Sequence, residues 1–151
     1  MSVAFRRDSD EEHREPRFEL PLPAGPNPVT PRGLAQIEAR EAELAAALAV
    51  ASADEREDVA RTLRYWSTRK TTAQVAPPPA PGIAGIGSRV TLTLNGRERT
   101  IEIVGHDEAE PAADRIAWNA PLARALIGAE VGETIDFGGA SAALEVLAIA
   151  P

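Results

Sequence analysis

Residues 30–70, TPRGLAQIEAREAELAAALAVASADEREDVARTLRYWSTRK, decide the architecture of the N-terminal half of the chain. Thr30 followed by Pro31 is typical of a helix start, because the hydroxyl accepts a hydrogen bond from a first-turn amide and proline at the first helical position loses none. Apolar residues then recur at helical spacing through an alanine-rich run, at Leu34, Ile37, Leu44 and Leu48. The pattern predicts a first helix that continues to Ala51.

A second helix follows the interruption at Ser52-Ala53-Asp54. Its apolar face comprises Val59, Leu63, Trp66 and Ala73, and its arginines fall largely off that face. Arms of about 18–20 residues are roughly 27–30 Å long at about 1.5 Å per residue. Residues 29–76 are therefore predicted to form an antiparallel helical hairpin, a short coiled coil.

The C-terminal half has a different pattern after a proline-rich connector at residues 77–83. Alternating segments at 89–94 and 99–104 flank Asn95-Gly96, the strongest short hairpin signal. Further strands are predicted at 115–119, 134–137 and 142–149, with a short helix at 121–127 that Gly128 stops. Residues 84–151 therefore form a second domain, and the chain as a whole belongs to the α+β class.

The first 28 residues combine mixed charges with a proline-rich stretch and predict an extended or flexible tail. An alternative is a docking strand, because Phe18, Leu20 and Leu22 alternate with Glu19 and Pro21. One edge of such a strand would lie in a groove on a partner or on the protein's own body.

Composition excludes several classes of function. The formal net charge is -7, and residues 77–151 hold 5 arginines against 10 acidic residues, so duplex DNA binding through phosphates is disfavoured and a basic protein partner fits better. The chain has no cysteine and only two histidines, which removes disulfides, thiolate nucleophiles and cysteine-ligated zinc. No apolar run of about 20 residues or secretory leader is evident, so we expect a cytoplasmic protein without membrane contact.

Two groups of segments carry a family resemblance: Ile103–Ala109 with Ala120–Glu133 in the C-terminal half, and Val29–Leu34 with Ala73–Val75 at the two ends of the predicted hairpin. They resemble the C-terminal signature and the hairpin ends of the GreA/GreB transcript-cleavage and elongation factors of bacterial RNA polymerase. The resemblance implies a C-terminal FK506-binding-protein-like (FKBP-like) domain with an antiparallel sheet and one short helix. It also implies that this domain docks at the rim of the polymerase secondary channel and that the coiled coil enters the channel toward the active centre. We expect the protein to be a monomer.

By the same resemblance, the loop and helix near the polymerase-binding surface contain Asp107, Pro121, Leu122, Ala123, Arg124 and Leu126. Arg124 is the expected polar contact. The alternative from the residues themselves is that Leu122, Leu126 and Ile127, at helical spacing, are the buried face of the short helix. Pro121 and Gly128 would then be only its start and stop.

The hairpin tip departs from the family pattern. In the family, an aspartate and a glutamate three residues apart help to hold a second magnesium ion in the polymerase active site. Here Asp54 and Glu57 keep that spacing among Glu55 and Asp58, but the flanking residues differ and the arms look several turns shorter. The alternative is helix capping, because Ser52-x-x-Glu55 and Asp54-x-x-Glu57 both match a capping box and acidic residues in a first turn complement the helix dipole.

These observations predict an accessory factor with no catalytic residue, metal site or cofactor of its own, and with magnesium relevant only indirectly in the polymerase active site. We expect modulation of elongation without cleavage activity; the alternative is a cleavage stimulator that acts through the tip carboxylates.

A prolyl isomerase is disfavoured, because such pockets are mainly aromatic and residues 84–151 contain only Trp118 and Phe137 as aromatics. A hairpin-mediated dimer remains a further alternative, and His106 is expected in a surface loop.

Overall fold

The helical hairpin is the first part of the computed structural model, which describes residues 18–151. Helix α1 spans Pro31–Val50 and helix α2 spans Ala53–Thr72, each with 20 residues, so the predicted arm lengths are confirmed. The hydroxyl of Thr30 accepts a hydrogen bond from the Gly33 amide at 3.0 Å, and that of Ser52 accepts one from the Glu55 amide at 3.3 Å. Both helices therefore begin at the predicted caps. No helix within the described residues is long and apolar enough to cross a membrane.

A two-stranded parallel sheet closes the base of the hairpin. Strand β1 (Asn27–Val29) pairs with β2 (Ala73–Val75), with Asn27 opposite Ala73. The Asn27 side chain is buried and donates to the Arg69 carbonyl at 2.9 Å and to the Thr72 hydroxyl at 3.1 Å. The segment assigned to the tail thus contributes its last two residues to the hairpin base. The tail prediction for residues 1–17 lies outside the described residues.

A five-stranded sheet forms the C-terminal domain, in the order β5-β4-β3-β7-β6. Its elements are β3 (Arg89–Leu94), β4 (Arg97–Val104), β5 (Arg115–Ala117), helix α3 (Pro121–Leu126), β6 (Thr134–Phe137) and β7 (Ala140–Ala150). The expected antiparallel sheet is in fact mixed, because β4 and β5 pair in parallel. A parallel pair needs a long connection, and residues 105–114 supply it through two 3₁₀ turns, His106–Glu108 and Pro111–Ala113. The α+β class is confirmed.

Several element ends differ from the predicted ones because hydrogen-bond ladders continue past the apolar alternation. The β3–β4 turn at Asn95-Gly96 has positive φ at both residues, 51° and 81°, which brings Arg97 opposite Leu94 and starts β4 two residues early. Strand β7 likewise begins two residues early, at Ala140. Strand β5 is the opposite case: it ends at Ala117, two residues before the predicted end, because the chain turns there toward α3. The core lies between the sheet and α3 and includes Val90, Leu92, Ile101, Ile103, Leu126, Leu144 and Val146.

Candidate functional site

A buried ion pair joins the hairpin to the C-terminal domain. Nε of Arg69 on α2 lies 2.6 Å from Oδ2 of Asp107, and the two side chains are only 4% and 5% exposed. The Tyr65 hydroxyl donates to the other Asp107 oxygen, and Nη2 of Arg69 donates to the Asn27 side-chain oxygen at 2.7 Å. Both buried charges are thus compensated, as burial requires. Asp107 was expected at the polymerase surface; in this conformation its carboxylate instead holds the two parts of the molecule together.

Tyr65 is locked into this arrangement as a hydrogen-bond donor. Its burial and the adjacent Asp107 carboxylate raise the pKa of the phenol to about 12. Its ring also packs edge-on against Trp66, with centroids 5.2 Å apart. The hydroxyl therefore keeps its proton at neutral pH and donates a hydrogen bond to Asp107.

A second carboxylate, that of Glu108, binds the start of α1. Its Oε2 accepts from the Thr30 hydroxyl at 2.5 Å and its Oε1 accepts from Nε of Arg32 at 2.8 Å, with only 2% of the side chain exposed. Nη2 of Arg32 reaches Glu102 on β4 at 3.0 Å. The Glu108 bond raises the pKa of Arg32. Thr30 therefore both caps α1 and ties it to the second domain.

Two glycines permit the close approach of the two parts. A Cβ atom at Gly33, in the first turn of α1, would lie 2.6 Å from Oε2 of Glu108. One at Gly105 would lie 2.7 Å from the carbonyl oxygen of Pro28. We call the pairs Arg69–Asp107 and Glu108 with Thr30 and Arg32 the interdomain latch. It fixes the base of the hairpin on the 3₁₀ turn that follows β4.

The sequence interpretation missed the latch. Thr30 was predicted only as a cap, and Glu108 was not singled out. Arg69 was placed with the arginines off the apolar face of the second helix, which is wrong because its side chain is buried. The partners could not be paired from the sequence because 38 to 78 residues separate them. One signal was available in the sequence: Gly33 interrupts a segment that otherwise consists of residues with high helix propensity. A glycine inside a helix often marks a place where another part of the chain packs closely against the helix backbone. His106, the first residue of the same turn, is exposed, as expected for a surface loop.

Helix α3 presents only part of the predicted polymerase-binding set on the surface. Leu122, Ala123 and Leu126 are 8%, 0% and 0% exposed, so their side chains belong to the core and cannot contact a partner in this conformation. Pro121 and Arg124 are exposed. The alternative, in which these residues form the buried face of the short helix, is therefore confirmed for Leu122 and Leu126. It is wrong for Ile127, which is 40% exposed because it follows the last helical residue.

An apolar cavity of about 660 Å³ lies beside Arg124. One wall is the proline-rich connector at residues 76–80, and the other includes Trp118 and Ile127. Among the described residues that line it, Trp118 is the sole aromatic. The lining is thus aliphatic and proline-rich, which does not favour the mainly aromatic pocket of a prolyl isomerase.

The tip carboxylates are spread along the first two turns of α2. Asp54 and Glu55 lie in the first turn, where they complement the positive helix end. Glu57 accepts from Arg64 at 3.1 Å and Asp58 accepts from Arg61 at 2.9 Å. Within residues 18–151 no group of three or more histidine, cysteine or acidic side chains is arranged to hold a metal ion. The cap of α2 is thus the Ser52 hydroxyl, and Asp54 lies inside the helix rather than at its cap. The acidic residues of the tip contribute through the helix dipole and through ion pairs with Arg61 and Arg64.

Comparison with known protein families gives a match in the C-terminal half. The family described as "Transcription elongation factor, GreA/GreB, C-term" matches residues 79–151. A transcription elongation factor GreA of Sinorhizobium medicae is 45% identical over 67 residues, which are 42% of each chain. A transcription elongation factor GreB of Neisseria meningitidis is 37% identical over 82 residues, 52% of this chain and 50% of the relative. The matched segment thus spans about half or less of these relatives.

Solved structures give similarities over a longer stretch at lower identity. A prokaryotic transcription elongation factor GreA/GreB from Nitrosomonas europaea covers 85% of this chain and 100% of its own, with 17% identity and a TM-score of 0.42. The transcription factor Gfh1 covers 85% of this chain and 100% of its own, with 20% identity and a TM-score of 0.41.

Proposed function

We propose that this chain belongs to the GreA/GreB family, which residues 79–151 match, and that it binds RNA polymerase and regulates transcription elongation. The observation that carries the proposal is the family match of the C-terminal half, together with the names of its relatives. The protein would act as a monomeric accessory factor in the cytoplasm, with no catalytic residue and no cofactor of its own.

The C-terminal domain is the proposed docking part, at the rim of the polymerase secondary channel. Pro121 and Arg124 on α3 are exposed, and Arg124 also lines the apolar cavity beside Trp118, so this face offers one cation and a compact apolar surface. The excess of acidic residues elsewhere in residues 77–151 favours a basic protein partner over duplex DNA. Leu122, Ala123 and Leu126 would support this face from beneath.

The hairpin is the proposed inserting part. The interdomain latch attaches it to the docking domain through two buried carboxylates, Asp107 and Glu108, so the direction of the hairpin follows from the position of the domain. Such pre-organisation saves the ordering entropy that a loosely tethered hairpin would lose on insertion. The latch thereby supports a function in which both parts engage the same partner.

We further propose that the hairpin acts without stimulating transcript cleavage. A magnesium ligand must reach the metal directly, and carboxylates that fall a few ångströms short contribute little. Glu57 and Asp58 are already engaged by Arg64 and Arg61, and Asp54 and Glu55 occupy the first helical turn. Any magnesium would belong to the polymerase active site rather than to this chain.

A transcript-cleavage assay on a stalled, backtracked elongation complex tests the proposal, alone and in competition with a full-length Gre factor. We expect no shortening of the RNA by this protein and slower cleavage by the competing factor. The variant Arg124→Ala should weaken this competition, whereas Arg99→Ala, which also removes an exposed arginine of the domain, should not.

Each other outcome has a defined meaning. Cleavage that is lost in Asp54→Ala or Glu57→Ala but retained in Glu43→Ala would establish the alternative, an active cleavage stimulator. Absence of both cleavage and competition, with no recovery of core polymerase at low salt, would refute polymerase binding.

A further inference from the structure

The first described residues of the chain lie against α2 rather than projecting from the molecule. Glu19 forms a two-pronged ion pair with Arg64: Nε lies 3.0 Å from each carboxylate oxygen and Nη2 lies 2.6 Å from Oε1. Leu20 and Leu22 face Leu63 and Thr68 across a shared cavity of about 480 Å³. We call residues 18–23 the strap.

The strap is weakly attached apart from this ion pair. Phe18, Leu20 and Leu22 remain 77%, 37% and 50% exposed, and the cavity beneath shows that the apolar side chains do not pack tightly on α2. Glu19 and Arg64 are themselves 62% and 48% exposed. An exposed ion pair of this kind shifts an equilibrium by roughly two- to five-fold. The strap is therefore closed by a contact that a competing surface can replace.

The strap contacts the middle of α2, close to the carboxylates of the hairpin tip. Arg64 lies on the middle of α2, eleven residues after its first residue, which is about 16 Å from the tip end at about 1.5 Å per residue. The same guanidinium also binds Glu57, one of the tip carboxylates, at 3.1 Å. The strap thus adds a second layer and a negative charge to one face of the hairpin.

The charges of Glu19 and Arg64 favour the closed strap in the protein without a partner. The Arg64 contact lowers the pKa of Glu19, and the two carboxylates Glu19 and Glu57 raise that of Arg64. Glu19 and Arg64 therefore remain charged at neutral pH, so the contact is controlled by competition and ionic strength rather than by protonation.

We propose that residues 18–23 are an autoinhibitory strap, closed by the Glu19–Arg64 ion pair, which covers one face of α2 and must open before the hairpin engages its partner along that face. The inhibitory role rests on the proposed function, because it needs a partner that receives the hairpin. Closure of the strap on α2 is a property of the isolated protein and is measured separately.

Electron paramagnetic resonance measures closure in the full chain. The protein has no cysteine, so cysteines introduced at Phe18 and Val50, which are 77% and 85% exposed, carry the only spin labels. We expect a narrow distance distribution that broadens in Glu19→Gln and in high salt, but not in the matched control Glu43→Gln, whose ion pair lies within α1. The exchanged pair Glu19→Arg with Arg64→Glu should restore the narrow distribution. An equally broad distribution in the parent and in Glu19→Gln would overturn the proposal.

Affinity for core RNA polymerase tests inhibition. Glu19→Gln should bind roughly two- to five-fold more tightly than the parent, because strap opening no longer opposes binding. Glu43→Gln should bind like the parent. A closed strap whose release leaves the affinity unchanged would overturn autoinhibition while leaving polymerase binding intact. Failure of every form to bind polymerase would instead refute the proposed function, and the inhibitory role with it.

Discussion

The interdomain latch makes Asp107→Asn the most informative single substitution. The change keeps the size of the side chain but removes its charge, which leaves the Arg69 guanidinium with 4% exposure and no carboxylate. The hydrogen bond from Arg69 to Asn27, at 2.7 Å, remains. Loss of one partner of a buried ion pair is costly because the other charge stays out of water.

The expected magnitude follows from that burial. Breaking a buried pair typically costs about 3–5 kcal/mol. Arg69 retains a neutral partner in Asn27, and water gains access if the hairpin base separates slightly, so we expect the lower end, about 3 kcal/mol. With a urea m-value of about 2 kcal/mol/M, the unfolding midpoint would fall by about 1.5 M.

Urea unfolding followed by circular dichroism and tryptophan fluorescence measures this change. Trp66 lies in the hairpin and Trp118 in the C-terminal domain, so the single-tryptophan variants Trp118→Phe and Trp66→Phe report on the two parts separately. The control is Asp114→Asn, which removes the same charge from an exposed pair with Arg99, 39% and 53% exposed. Asn tolerates the positive φ of residue 114, so this variant should cost less than about 1 kcal/mol.

A double-mutant cycle completes the test. Arg69→Met removes the buried cation, and in combination with Asp107→Asn no uncompensated charge remains. The double variant should therefore be more stable than the sum of the two single changes predicts, by at least about 2 kcal/mol. Equal, small effects of Asp107→Asn and Asp114→Asn, with additive behaviour in the cycle, would refute the buried latch.

Three further predictions concern stability. Gly33→Ala improves helix propensity by about 1 kcal/mol but places a Cβ 2.6 Å from Glu108 Oε2, so thermal unfolding should show a net loss of about 1–2 kcal/mol that vanishes in a Glu108→Ala background; a stabilised single variant would contradict this. Because the pKa of Tyr65 is raised to about 12, the unfolded chain loses the phenolic proton first. The contribution of Tyr65 is therefore complete below about pH 10 and lost as pH rises toward 12, by about 1 kcal/mol after allowance for solvent screening, and denaturant titrations of Tyr65→Phe should lack this component. Leu126→Ala should cost about 2–5 kcal/mol in denaturant unfolding, against less than about 1 kcal/mol for Ile127→Ala, and similar values would contradict the burial of α3.

Local patterns in the sequence predicted both long helices, the short helix and the five strands of the C-terminal domain, but not the strands β1 and β2 at the base of the hairpin. The hydroxyl caps at Thr30 and Ser52, the apolar spacing of the hairpin and the Asn95-Gly96 turn each depend on neighbours within a few residues, and all three are confirmed. The C-terminal signature around Ile103–Ala109 also led to the family that matches residues 79–151. The strand ends and the parallel β4–β5 pair differed, because ladders form between segments whose mutual position the alternation does not encode.

The candidate site depended on tertiary structure. Asp107 resembles a family surface residue by position, yet only the folded chain brings Arg69 and Tyr65 to it across 38 and 42 residues and removes it from solvent. The helical spacing of α3 indicated a buried face, but only packing against the sheet decided that Ile127 lies outside that face. The sequence by itself determined the two helices of the hairpin and the strands and short helix of the C-terminal domain, since those choices rest on local backbone and side-chain preferences. The strands β1 and β2 form only because the fold brings their segments together. Tertiary structure alone decided which charges are buried and paired, because burial depends on the three-dimensional neighbours of each side chain.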